Sequence, residues 1–146
     1  MIVSKNIYLA DDDTDDHFIF EAALEEICED CTLTLATSGD ELLRKLRKPN
    51  IPSPDIVFLD INMPRKNGIE TLKEIKVDLK TNGLQVIMYS TSSNPLYIDQ
   101  AKEAGACFYF VKPTDFSKLK QLLLKTLSLH WGTNNIPSKK HEFMIS

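Results

Sequence analysis

Short apolar runs recur along this chain, separated by stretches in which apolar residues return at helical spacing. Ile7-Tyr8-Leu9-Ala10, Leu33-Thr34-Leu35-Ala36, Ile56-Val57-Phe58-Leu59, Val86-Ile87-Met88-Tyr89 and Phe108-Tyr109-Phe110-Val111 are the runs. Continuous apolar segments of this length, bounded by turn residues, suit strands covered on both faces. Between them, Phe20, Leu24 and Ile27 share one helical face, as do Leu42, Leu43 and Leu46, and then Ile69, Leu72, Ile75 and Leu79. Ile98, Ala101 and Ala104 mark a fourth helix; Phe116, Leu119, Leu123 and Leu127 mark a fifth. Punctuation agrees: Pro49, Pro52 and Pro54 precede the third strand, Asn82-Gly83 closes the third helix, and Asn94-Pro95 opens the fourth. Strict alternation of strand and helix predicts an α/β doubly wound (βα)5 sandwich, flavodoxin-like, with a parallel five-stranded sheet in order 2-1-3-4-5. One domain over 1–131 is expected, followed by a polar, flexible tail over 132–146 in which Phe143-Met144-Ile145 is read as a disordered end.

Chemistry in open α/β sheets gathers beyond the carboxyl ends of the strands, where strand order reverses. Strand one runs into Asp11 and Asp12, strand three into Asp60, strand four ends in Ser90, and strand five runs into Lys112. Each could be a loop residue alone. Together on one edge, three carboxylates repel one another and call for a cation. A hard divalent ion with oxygen ligands, Mg2+, is the natural match. A carboxylate can attack phosphorus, and the lysine and hydroxyl suit the remaining oxygens of a phosphoryl group.

This set, Asp11-Asp12, Asp60 in Leu-Asp-Ile-Asn-Met-Pro, Ser90 and Lys112-Pro113, resembles the receiver domain of bacterial two-component response regulators over roughly residues 5 to 130. The resemblance implies a phosphoryl group accepted on Asp60 from a sensor histidine kinase or phosphotransfer protein. It implies Mg2+ bound directly by Asp12 and Asp60 with the main-chain carbonyl of Asn62, and by Asp11 through water. Ser90 would hydrogen-bond the phosphoryl group, Lys112 would pair with it, and the Lys112–Pro113 bond would be cis. Ser90 and Tyr109 stand where the family's switch residues stand, and would bias a surface made of helix four, strand five and helix five for a downstream protein target or a homodimer. Leu122, Leu124 and Leu129 offer helix five a second apolar face. Thr91 is bulkier than usual for its place and narrows access to Asp60; Asn62 and Ser92 stand where side chains tune the phosphoryl lifetime. The alternative is a receiver-like interaction module that takes no phosphate.

Composition narrows the rest. With 146 residues the chain suits a single domain, and no output domain fits after residue 130, so a stand-alone regulator is expected. A net charge of -4 argues against nucleic acid as a partner. No run is long enough to span a membrane, no signal peptide is evident, and three cysteines suit a reduced, cytoplasmic setting. The run Asp11 to Asp16 is no EF-hand loop, since Asp16 and Ala22 stand where glycine and glutamate are needed. Asp13, Asp15 and Asp16 are read as helix-capping and rim charges. Cys28 and Cys31, a lone C-x-x-C, are read as structural, Cys107 as core, and His17, His130 and His141 as scattered. An aspartyl phosphatase is disfavoured, because Asn62 replaces the acid/base that such enzymes carry two residues after the nucleophile. No enzyme activity is expected beyond self-catalysed phosphoryl uptake and loss.

Overall fold

The computed structural model describes residues 4–128 and 143–145. Its elements are β1 (Asn6–Ala10), α1 (Thr14–Ile27), β2 (Thr32–Ala36), α2 (Gly39–Leu46), β3 (Ile56–Leu59), α3 (Gly68–Val77), β4 (Val86–Ser90), α4 (Pro95–Glu103), β5 (Phe108–Val111), α5 (Phe116–Leu127) and β6 (Met144–Ile145). The sheet runs β2-β1-β3-β4-β5-β6, every pair parallel. The five expected strands lie in the expected order.

Each apolar run divides between two cores because side chains alternate across a strand. Ile7, Leu9, Ile56, Phe58, Ile87, Tyr89 and Phe110 face α1 and α5, where Phe20, Leu24, Leu119 and Leu123 cover them. Tyr8, Val57, Leu59, Val86, Met88 and Tyr109 face the other side, against Leu42, Leu72, Ile75 and Ile98. Edge-to-face rings tie the first layer together, with Phe20 and Phe58 centred 5.0 Å apart. Helix starts follow sequence chemistry. Asp13 caps α1 by accepting from Asp15 N at 2.9 Å, Asn67 and Glu70 form a reciprocal capping box on α3, and Asn94 caps α4 ahead of Pro95.

Three expectations change. Leu79 lies past the C-cap of α3 and is 89% exposed rather than on its buried face. On α5, Leu122 belongs to the core and Leu124 alone of the described pair is exposed; Leu129 lies outside the described residues. The third concerns the tail. Phe143 is fully buried, and Met144 and Ile145 pair with Tyr109 and Phe110 as a sixth strand. A two-residue strand is too short to leave a periodic signal in sequence. The rest of the tail, like His130 and His141, falls outside the described residues.

Gly68 fixes the loop that follows β3. Its N–H donates to the Ile61 carbonyl at 2.9 Å, and a Cβ there would overlap the Asp60 carbonyl oxygen. That obstacle is backbone, so relief requires the strand end itself to shift. Gly68→Ala is therefore expected to cost about 1–3 kcal/mol, read as a lower thermal unfolding midpoint; an unchanged midpoint would show that the loop can yield.

Candidate functional site

The sheet's own hydrogen-bond ladder carries the key residues past the strand ends. Asp60 N donates to Ala10 O at 2.9 Å, Asp11 N to Ala36 O at 3.0 Å and Lys112 N to Ser90 O at 2.8 Å. Asp11, Asp60 and Ser90 are buried, whereas Asp12 is exposed. Asp11, Asp12 and Asp60 each offer a carboxylate oxygen to one cluster, all within 4.8 Å of one another. The Lys112 ammonium closes it, at 2.6 Å from Asp11 Oδ2 and 3.5 Å from Asp60 Oδ2. It also lies 5.1 Å from the centre of the Tyr89 ring. Asp60 Oδ1 accepts from Ile61 N at 2.8 Å and Asp11 Oδ1 from Asp13 N at 3.0 Å, which fixes both carboxylates.

Two further residues belong here. Asp16 accepts from Lys112 at 2.7 Å, so it is part of the charge cluster and not only a rim charge. His17, buried one turn into α1, sets Nε2 2.6 Å from the Asp11 carbonyl oxygen and braces the loop that carries the acidic pair. Both lie in the first turn of α1, where the aspartate run made Asp16 look surplus. A helix turn brings position 16 back over the strand end, and that arrangement is not visible in residue order.

The Lys112–Pro113 bond is trans, not cis, and trans is the lower-energy isomer of an X–Pro bond by about 0.5–1 kcal/mol. The Asn62 side chain and Thr91 are exposed at the rim. Ser90 and Tyr109 are linked: Ser92 N donates to Ser90 Oγ at 3.2 Å, and the Tyr109 hydroxyl donates to Ser92 O at 2.7 Å. Cys28 and Cys31 are joined as a disulfide, so the C-x-x-C is more than two packed thiols. Its Cα atoms lie 5.5 Å apart across the turn leaving α1, within bonding reach. Cys107 is buried as expected, its thiol 2.6 Å from Gln85 Oε1.

Burial dominates the electrostatics. Loss of water pushes the Asp60 carboxyl up to about 7; Lys112 opposes that rise and Asp11 adds to it. Asp11 is also raised by burial, against the hydrogen bond from Lys112. Burial alone would lower Lys112, yet its bonds to Asp11 and Asp16 and the Asp60 charge hold it above its ordinary value. One lysine does not supply enough positive charge for three neighbouring carboxylates. The donor set, all oxygen and partly open through Asp12, fits a hard divalent cation.

A sign follows for the metal-free protein. Between pH 4 and 7 the native Asp60 keeps a proton that the unfolded chain, with a carboxyl near 3.8, has released. Stability should therefore fall as pH rises through that window. Lys112 adds no slope there, because its contribution is complete below its ordinary value of 10.5. Thermal midpoints taken in a chelator across this range should decline more steeply for the wild type than for Asp60→Asn; equal slopes would refute the buried, proton-retaining carboxyl.

Residues 7–124 match the family model for the response regulator receiver domain. The transcriptional regulatory protein ZraR of Salmonella typhimurium is 32% identical over 123 residues, which is 84% of this chain and 26% of that protein. A protein-glutamate methylesterase/protein-glutamine glutaminase of Clostridium acetobutylicum is 37% identical over 105 residues, 68% of this chain and 29% of that protein. The chain thus spans less than a third of the length of these curated relatives, and their whole activities do not transfer with the similarity. Among solved structures, the phosphorylated cyanobacterial phytochrome response regulator RcpA superposes with a TM-score of 0.78 at 29% identity, covering 85% of this chain and 91% of that one. The Mn(2+)-bound form of response regulator Rcp1 gives a TM-score of 0.77 at 25% identity, covering 92% and 99%. Among the described residues no helix is long and apolar enough to cross a membrane. With the acidic cluster, the strand-end hydroxyl and the lysine on one sheet edge and this family match over the same residues, the chain belongs to the receiver-domain family of two-component response regulators.

Proposed function

We propose that this protein is a phosphoacceptor switch in a phosphorelay, with Asp60 as the residue that takes the phosphoryl group. The observation that carries this reading is the buried Asp60 carboxylate, set with Asp11 and Asp12 in one cluster and 3.5 Å from the Lys112 ammonium. In the transfer, the P–N bond of a donor phosphohistidine breaks and an Asp60 carboxylate oxygen forms the new P–O bond; the histidine nitrogen leaves with the electron pair. Asp11, Asp12 and Asp60, with the main-chain carbonyl of Asn62, would hold Mg2+, and the ion when bound supplies positive charge beside the transferred group. Lys112 neutralises charge on the oxygens it meets. Ser90 offers its hydroxyl from the end of β4, at the start of the hydrogen-bonded path to Tyr109.

Phosphorylation would draw Ser90 and Lys112 toward new oxygens and weight Tyr109 toward its inward setting. The surface of α4, β5 and α5 then changes its affinity for a downstream protein or a second copy. Leu96 on α4 is 58% exposed there, whereas the exposed Leu124 lies on the α1 side of α5, beside Glu26 and Ile27. A sensor histidine kinase or phosphotransfer protein is the donor this reading requires, and a cytoplasmic setting is where such donors act. Signal would leave by contact with that downstream partner.

Incubation with acetyl phosphate and Mg2+ should add one phosphoryl mass to the intact protein. The gain should vanish in chelator and in Asp60→Asn, and Lys112→Ala should slow it by about tenfold or more. An unlabelled wild type under conditions that label another receiver would favour a phosphate-independent interaction module. Labelling that persists in Asp60→Asn would move the nucleophile elsewhere.

A further inference from the structure

We propose that the segment Phe143 to Ile145 is a strap of this same chain whose seating on the β5 edge is coupled to the inward setting of Tyr109, and so to the phosphoryl group on Asp60. The inference rests on Asp60 as the phosphoacceptor.

Without β6, β5 would be the outer strand of the sheet, with one side of its backbone unpaired. The strap occupies that side, with Tyr109 opposite Met144 and Phe110 opposite Ile145. Its anchor is Phe143, fully buried, whose ring centre lies 6.4 Å from that of Tyr109 at an interplanar angle of 52°. Met144 packs, half-buried, against the same core. Tyr109 is itself fully buried and spends its hydroxyl on Ser92 O. Ser92 N in turn reaches Ser90 Oγ. A continuous path therefore runs from the phosphoryl-facing hydroxyl through Ser92 and the Tyr109 ring to Phe143.

The coupling is mutual by packing. If Tyr109 turned outward, it would leave its acceptor and open a void beside Phe143, which weakens the strap. If the strap left, Tyr109 would lose the ring that packs against it. A group on Asp60 that favours the inward tyrosine must then tighten the strap, and the strap must raise affinity for that group by the same factor. Receiver and tail thus form one two-state element, and a partner that needs the β5 edge has first to displace residues 143–145.

The test uses the full chain with Mg2+ and beryllofluoride, a phosphoryl mimic for aspartate. Hydrogen exchange at the Met144 and Ile145 amides should slow by about fivefold or more on saturation. Phe143→Ser, and separately a chain ending at residue 142, should need a correspondingly higher beryllofluoride concentration for half-saturation, while Phe143→Leu should recover most of the difference. Equal binding by wild type and both tail variants, or exchange at 144–145 that ignores the mimic, would overturn the strap alone. Failure of the wild type to bind the mimic or to label with acetyl phosphate would bring down the phosphoacceptor reading and the strap with it. A protection that grows with protein concentration would overturn the same-chain seating, since it would mean exchange of tails between copies.

Discussion

The site turns on a single ammonium group. Lys112 sits against Asp11, Asp16 and Asp60 at the carboxyl edge of the sheet, and its side chain is almost wholly withdrawn from water. An unpaired charge in that position would cost several kcal/mol. The paired arrangement tolerates burial, but it leaves the acidic cluster short of positive charge. That imbalance suits the proposed function, in which a divalent cation would settle the carboxylates and leave Lys112 to meet an incoming phosphoryl oxygen. Every other feature near the edge keeps these groups in place. The backbone ladder continues through Asp11, Asp60 and Lys112, His17 braces the Asp11 carbonyl, and the close approach of Gly68 holds the loop after Asp60.

Much of this was readable from residue order, because strand ends can be recognised where an apolar run meets a polar residue. Asp11, Asp12, Asp60, Ser90 and Lys112 all declared themselves in that way. The two-sided burial of β3 and β4 was visible in unbroken runs such as Ile56 to Leu59, each residue of which is fully buried. What escaped was decided by contacts between elements. Asp16 looked like one aspartate too many until α1 folded its first turn over Lys112. His17 carried no motif, since its partner is a main-chain carbonyl. Leu79 kept the helical spacing, but α3 stops at Val77 and Asp78 ends it. Leu122 looked like part of an outer apolar stripe and is instead core.

The tail shows the same limit most sharply. Phe143-Met144-Ile145 is a three-residue apolar island in a polar stretch, which by itself suits a disordered end. Its partner, β5, lies more than thirty positions earlier and offers both an open backbone edge and a ring, Tyr109, for Phe143 to pack on. Local sequence carries no trace of that pairing. The β5 edge beside Tyr109 is thus already covered by residues 143–145 of the chain itself, and under the proposed switch a partner for this face would meet that strand first.

The most direct measurement of the central claim is a crystal structure of the protein with Mg2+ and beryllofluoride. The account predicts a fluoroberyllate on an Asp60 carboxylate oxygen, a cation held by Asp11, Asp12 and Asp60, and the Lys112 ammonium turned from Asp16 toward a fluorine. A fluoroberyllate on another carboxylate, or a cation with Asp60 outside its ligands and Lys112 still bonded to Asp11 and Asp16, would contradict it.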